Sequence, residues 1–171
     1  VVLANLFGLL MGFALLSRHF EKSGVPDEMP AFLPDDWKGA FVLLVVIAVI
    51  SSFLDNIAAA LIGATVAGHV FRDRVRVGYL AAIVAASNAG GSGSVIGDTT
   101  TTMLWIGGVS PLSVLHAYVA AGFALVVSGI PASLAQHRYA PIVKDPPRDL
   151  RISLRHVVVV IIVLAAAIGA N

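Results

Sequence analysis

Between two strongly apolar stretches lies SNAGGSGSVIGDTTTTMLW, residues 87–105, which sets an aspartate, four consecutive threonines and four glycines in hydrophobic surroundings. A smaller polar island, SSFLDN at residues 51–56, interrupts an apolar run earlier in the chain. The side chains of Asp55, Asn56, Ser87, Asn88, Asp98, Thr99 and Thr100 offer oxygens, and Gly91 is one of the glycines that permit unusual backbone angles and close approach. Such a set suits coordination of a small ion or hydrogen bonding of a small solute, with Asp55, Asn56, Asn88 and Asp98 as candidate sodium ligands. Covalent chemistry is not indicated. No nucleophile–base pair or metal-ligand cluster stands out and the chain has no cysteine, so neither an enzyme nor a cofactor is expected, only sodium as coupling ion or substrate.

The elements that carry these islands belong to a membrane. Hydrophobic residues make up 58% of the 171, charged residues 12%, and the mean hydropathy is +0.91. Roughly a quarter of an ordinary soluble domain is charged, about twice the supply here. A net charge of +1, spread in short clusters, gives no sign of a nucleic-acid partner. GGSGSVIG is one residue off the dinucleotide-binding pattern, and no Gly-Lys-Ser/Thr follows it as a phosphate loop requires.

We read residues 1–171 as a single all-α membrane domain. A first apolar segment covers about residues 1–17, and the three prolines and charges of residues 18–39 make that stretch a cytoplasmic linker. Residues 40–71 would measure roughly 48 Å as one helix, against a hydrocarbon core of about 30 Å. Halved at LDN, they give two helices too short to cross, which predicts a re-entrant hairpin entering and leaving on one side. Residues 77–108 read as a broken helix, unwound between Ser87 and Asp98. Residues 112–134 are long enough to span alone, 136–156 form a second cytoplasmic loop, and a fifth apolar run begins at Val157.

With the hairpin in place, all eleven basic residues fall on one face, in the linkers around Arg18, Lys22 and Lys38, around Arg72, Arg74 and Arg76, and from Arg138 to Arg155. The positive-inside rule makes that face cytoplasmic, and the cell's inner (plasma) membrane is the expected location. Asp55 and Asp98 are the two acidic residues inside membrane segments, at a cost of about 2.5 to 3.5 kcal/mol each at mid-bilayer, which makes them functional candidates. Irregular backbone at that depth must line a cavity or pack on protein. Plainer roles stand beside this: Asp98 is a good N-cap for a helix starting at Thr99, and Asp55-Asn56 suits a turn. His69 and His116 could carry protons but have no acidic neighbour in sequence.

SSFLDNIAAALIGAT followed by ASNAGGSGSVIGDTTTTMLW resembles the N-terminal half of the ion transporter superfamily, the citrate-transporter-like group, over about residues 1–145. Within it, NAGG with IGDTTTTMLWIGG is most similar to NhaD-type sodium/proton antiporters. The resemblance implies one half of an inverted-repeat secondary transporter, whose re-entrant hairpin and discontinuous helix face a second such pair to form the sites. By position, Leu54–Asn56 matches the hairpin tip and Ser87–Asp98 the unwound part of the broken helix.

That second pair does not occur in the sequence. The chain also starts without methionine and stops inside an apolar run, so the expectation is a truncated N-terminal repeat whose C-terminal half is missing. Membrane lipid, that missing half and a small ion or carboxylate are the expected partners, and a homodimer is an allowed assembly. The expected function is exchange of sodium or lithium for protons, the two competing for one buried carboxylate because burial disfavours the bare charge. The alternative is cation-coupled transport of citrate, a dicarboxylate or another anion, with Asn56, Asn88 and the threonines binding the anion. A channel or structural subunit comes third.

Overall fold

The structure is a computed structural model that describes residues 2–143 and 153–169, and every regular element among them is a helix. In chain order these are α1 (Val2–Glu21), α2 (Val25–Phe32), α3 (Trp37–Ser51), α4 (Asn56–Val70), α5 (Val77–Ser92), α6 (Thr99–Ile106), α7 (Pro111–Leu115), α8 (Ala117–Tyr139) and α9 (Leu154–Gly169).

Helix α3 sits at the centre because its sequence has no polar face to offer. WKGAFVLLVVIAVIS is apolar all round, and a helix of that kind is stable only when surrounded. It packs against α4, α5 and α8, leaving Ala40, Leu43, Leu44 and Ile47 fully buried. Its start is fixed by Asp36, whose carboxylate accepts from the Lys38 amide at 2.9 Å.

Cross-links set the directions. The Tyr79 hydroxyl donates to the Ala40 carbonyl at 2.6 Å near the start of α3 and α5, and Ser52 Oγ lies 3.1 Å from the Gly90 carbonyl near their ends. Helices α3 and α5 therefore run parallel, and α4 is the return stroke, with Gly63 laid against Ile47. Helix α8 runs back along α5: Tyr118 near its start covers Gly93, and Gln136 near its end bonds to Arg74 and Arg76. The α3 start, the α4–α5 connection and the α8 end thus meet, joined also by the Val143 amide donating to Val70 O at 2.8 Å. Lys38, Arg72, Arg74, Arg76 and Arg138 all lie at this end.

Tyr79 is 1% exposed, its ring edge-on to Phe71 at 5.3 Å between centroids. Tyr79→Phe keeps that contact and loses only the bond to Ala40, so we expect about 1 kcal/mol of destabilisation. In thermal unfolding of the detergent-purified protein this reads as a midpoint lower by about 2–4 °C.

Residues Pro111–Tyr139 form the one stretch among the described residues that is long and apolar enough to cross a membrane, 29 residues with a hydropathy of 1.8. Helices α3 and α4 have 15 residues each, about 22 Å at 1.5 Å per residue, well short of a ~30 Å hydrocarbon core. Large apolar side chains also face outward, among them Val119 at 79% exposure and Phe123 at 72%. That outward surface matches a lipid environment.

Two expectations are corrected. The stretch 18–39 is not a plain linker: α1 continues to Glu21, and α2 forms with Pro26 in its first turn, where a missing N–H costs nothing. Met29 of α2 and Leu33 just after it are buried, and α2 packs on α1 and α4. Likewise α8 runs on to Tyr139, into the range read as the loop 136–156, of which residues 144–152 lie outside the described residues.

Candidate functional site

Both polar islands end up at the same end of the bundle, opposite the basic one. The first becomes the turn between α3 and α4, and Asp55 caps α4, its carboxylate accepting from the amides of Ile57 and Ala58 at 3.2 and 3.4 Å. The second is where α5 stops and α6 begins. Here Asp98 caps α6, accepting from the Thr100 amide at 2.9 Å and from the Thr99 hydroxyl at 3.4 Å. Asp98 therefore fills the capping role its sequence position allowed, and Asp55, read as part of a turn, caps a helix as well.

The break itself is narrower than expected. Residues Ser87–Ser92, read as unwound, are helical, and only residues 93–98 leave the helix. The polar side chains explain this, because they fold back onto their own helix: Ser87 Oγ and Asn88 Nδ2 donate to Val84 O at 2.9 and 2.8 Å, and Ser92 Oγ to Ala89 O at 2.8 Å. Gly90 and Gly91 serve packing instead of unwinding. A Cβ at Gly90 would stand 1.9 Å from the Ala48 carbonyl oxygen, and one at Gly91 would stand 3.0 Å from Gly97 O and 3.3 Å from Asp98 Cβ.

Those glycines let the two breaks touch. Gly97 lies against the end of α3 so closely that a Cβ would fall 2.2 Å from Ser51 O. Ser51 donates its hydroxyl to Ser87 O, Ser52 reaches Gly90 O, and Asn56 Nδ2 donates to Asn88 Oδ1 at 3.0 Å. Asn56, Ser87, Asn88, Gly91 and Asp98 are thus gathered around one seam. Asp55 and Asp98 share no hydrogen-bond partner among the described residues, and Thr100 is exposed.

Unwinding frees carbonyls, and the threonines receive them. Thr101 Oγ1 reaches Ser94 O and lies 2.9 Å from Asp98 O, while Thr102 Oγ1 lies 2.7 Å from Val95 O and 2.9 Å from Asp98 O. Each hydroxyl has one proton to give, so it satisfies one of these oxygens at a time. Sequence reading named Thr99 and Thr100 singly and took in Thr101 and Thr102, which are buried, only as part of the threonine cluster. It missed Ser51, Ser52 and Tyr118. The pair Ser51-Ser52 beside LDN was the available signal for the first two; nothing local signalled Tyr118.

From the seam a groove of about 390 Å³ opens between α4 and α5. Asn56, Ser87 and Asn88 form its polar end and Ile57, Leu61 and Leu80 part of its apolar length. The amide pair can donate to an anion, and the Asp98 carboxylate beside backbone carbonyls can hold a cation. His69 and His116 are both exposed, the latter at the junction of α7 and α8 with Nδ1 3.4 Å from Ser113 O.

The sequence model of the citrate transporter family (CitMHS) matches residues 1–170. No curated protein and no solved structure matches the chain.

Proposed function

Because the chain belongs to the citrate transporter family, we propose that it carries citrate or a related carboxylate across a membrane together with a cation. Membership makes the protein a membrane transporter and not an enzyme. The match along nearly the entire chain carries the choice of a carboxylate, and the seam supplies a plausible chemistry for it. Asn56 and Asn88 present amides to the anion at the polar end of the groove. Residues 51–56 and 87–105 contain no Lys or Arg, so an anion of several charges entering there needs a cation beside it. Asp98, with the carbonyls of the unwound stretch, is the place for that cation, and sodium or a proton is the coupling ion we favour. Asp55 at the neighbouring cap is a second candidate.

Half-exposed apolar groove walls, with Ile57 at 68% and Leu61 at 61% exposure, support a further helical layer over α4 and α5. A second half of the same polypeptide or a second copy would supply it. The hairpin reading of residues 40–71 as re-entrant belongs to this proposal too, supported by the 15-residue lengths of α3 and α4 and by the basic residues gathered at one end.

The test is uptake of labelled citrate into vesicles carrying the full-length protein, under an imposed sodium or proton gradient. Gradient-dependent accumulation is expected, falling about ten-fold or more in Asn88→Leu, which removes charge-assisted donation to the anion. A second reading, sodium/proton antiport, draws on the two capped carboxylates and the lack of fixed positive charge around them. In that case sodium alone collapses a preset pH gradient and citrate does not move, which would sink the carboxylate reading. Uncoupled flux of either solute would instead point to a channel.

A further inference from the structure

At the basic end, Arg74 and Arg76 converge on one tyrosine. The Arg74 guanidinium carbon lies 5.3 Å from the centre of the Tyr139 ring and that of Arg76 lies 5.9 Å from it, with Arg74 Nη2 also donating to Tyr139 O at 3.3 Å. Among the described residues neither arginine forms an ion pair with a carboxylate. Asp73, the acid next in sequence, turns back to α4, its Oδ1 3.3 Å from where a Cβ on Gly68 would sit.

This corner is built, not slack. Arg72 and Asp73 both adopt left-handed backbone angles, φ 53° and 59°, which cost energy in non-glycine residues and persist only where the surroundings hold them. The clamp is Gln136, fully buried: its Oε1 accepts from the Arg76 amide and its Nε2 donates to Arg74 O, both at 2.9 Å. One side chain of α8 thus fixes the backbone of both arginines. Two like charges gathered on one ring, exposed and without an acidic partner among the described residues, favour an anion beside them.

Position says which anion. Tyr139 closes the stretch long enough to span a membrane, so the two guanidinium groups sit where that stretch leaves the hydrocarbon. Tyrosine is at home at that level, and arginine forks match phosphate oxygens in pairs. We propose that Arg74, Arg76 and Tyr139 form a binding site for the phosphate of an anionic phospholipid headgroup. Exposed Arg138 adds to the local field. Because the clamp joins α5 to α8, an occupied site holds those two helices together at the basic end. The proposal rests on the membrane reading, not on what the carrier transports.

The full chain, purified in detergent, is mixed with phosphatidylglycerol, with phosphatidylcholine or with inorganic phosphate, and the bound species are counted by native mass spectrometry. Phosphatidylglycerol is expected to be retained about five-fold or more over phosphatidylcholine, as anionic headgroups favour clustered basic residues. Arg74→Gln with Arg76→Gln removes the preference, whereas Lys38→Gln, at the same end but outside the corner, keeps it. Should the double Gln variant fail to fold, Arg74→Lys with Arg76→Lys retains charge without the fork, and a fall in the preference is still expected. Equal retention of the two lipids, equal loss in Lys38→Gln, or displacement of phosphatidylglycerol by millimolar inorganic phosphate would each overturn the assignment. The last outcome would mean a site for free phosphate.

Discussion

Gly90→Val is expected to leave little folded protein. Its Cβ would meet Ala48 O at 1.9 Å and Ala48 Cα at 2.7 Å, and these are backbone atoms of a buried helix that no rotamer change can move aside. Overpacking of a core commonly costs 1–3 kcal/mol and more where nothing yields, against a total stability of about 5–15 kcal/mol. Gly97→Ala meets the same kind of wall, Ser51 O at 2.2 Å, and should lower the unfolding midpoint by several degrees. Gly78 and Gly122 provide the contrast, since a Cβ at either touches nothing within 4 Å. Alanine there is expected to be neutral or to raise stability by up to about 1 kcal/mol through helix propensity. Thermal unfolding in detergent reads all four. A Gly90→Val protein as stable as the parent would mean that α3 and α5 do not meet at this point.

Asp98→Asn is expected to separate a structural role from a transport role. Asparagine caps helices as well as aspartate does, so the amide of Thr100 keeps its acceptor and stability should change by no more than a few tenths of a kcal/mol. The charge is gone, however, and gradient-driven transport should fall about ten-fold or more if the carboxylate binds the coupling cation. Asp98→Ala loses cap and charge together, adding a destabilisation of about 1 kcal/mol. Measured side by side in vesicles and in thermal unfolding, the two variants must therefore differ in stability and agree in inactivity. Full transport by Asp98→Asn would leave Asp98 as a cap alone.

Much of this arrangement was legible in the residue order. Proline, charge and glycine marked where apolar helices stop, and the apolar run from Ala40, halved at LDN, gave the two short helices α3 and α4. Asp98 was legible as a cap because it stands just before a helical run, whereas Asp55, read as a turn residue, is a cap too. What the sequence concealed were consequences of packing between distant segments. Ser87-Asn88 looks like a break, but two side chains bond back to Val84 and the segment stays helical. Gly90 looks like a flexible residue until Ala48 is placed against it. Tyr118 gave no local sign because its partner, Gly93, has no side chain to announce one. Similarly, the prolines and charges of residues 18–39 marked a linker, yet Pro26 stands in the first turn of a helix that also holds Pro30, and Met29 finds a buried place.

The joining of the two breaks limits how the carrier can move. With Gly97 pressed on Ser51, Ser52 reaching Gly90 and Asn56 bonded to Asn88, neither tip can shift without carrying the other or stripping several polar groups of their partners at once. The hairpin tip and the connector therefore behave as one rigid body, and any hinge has to lie outside them. If the proposed ion and solute sites are occupied as we propose, reciprocity follows: an ion that tightens the connector changes the affinity of the amides at the tip by the same factor that a solute on the amides changes the affinity for the ion. Such mutual reinforcement would make the empty and doubly loaded forms the stable ones and the singly loaded form rare, which is how a carrier avoids leaking one gradient without using it.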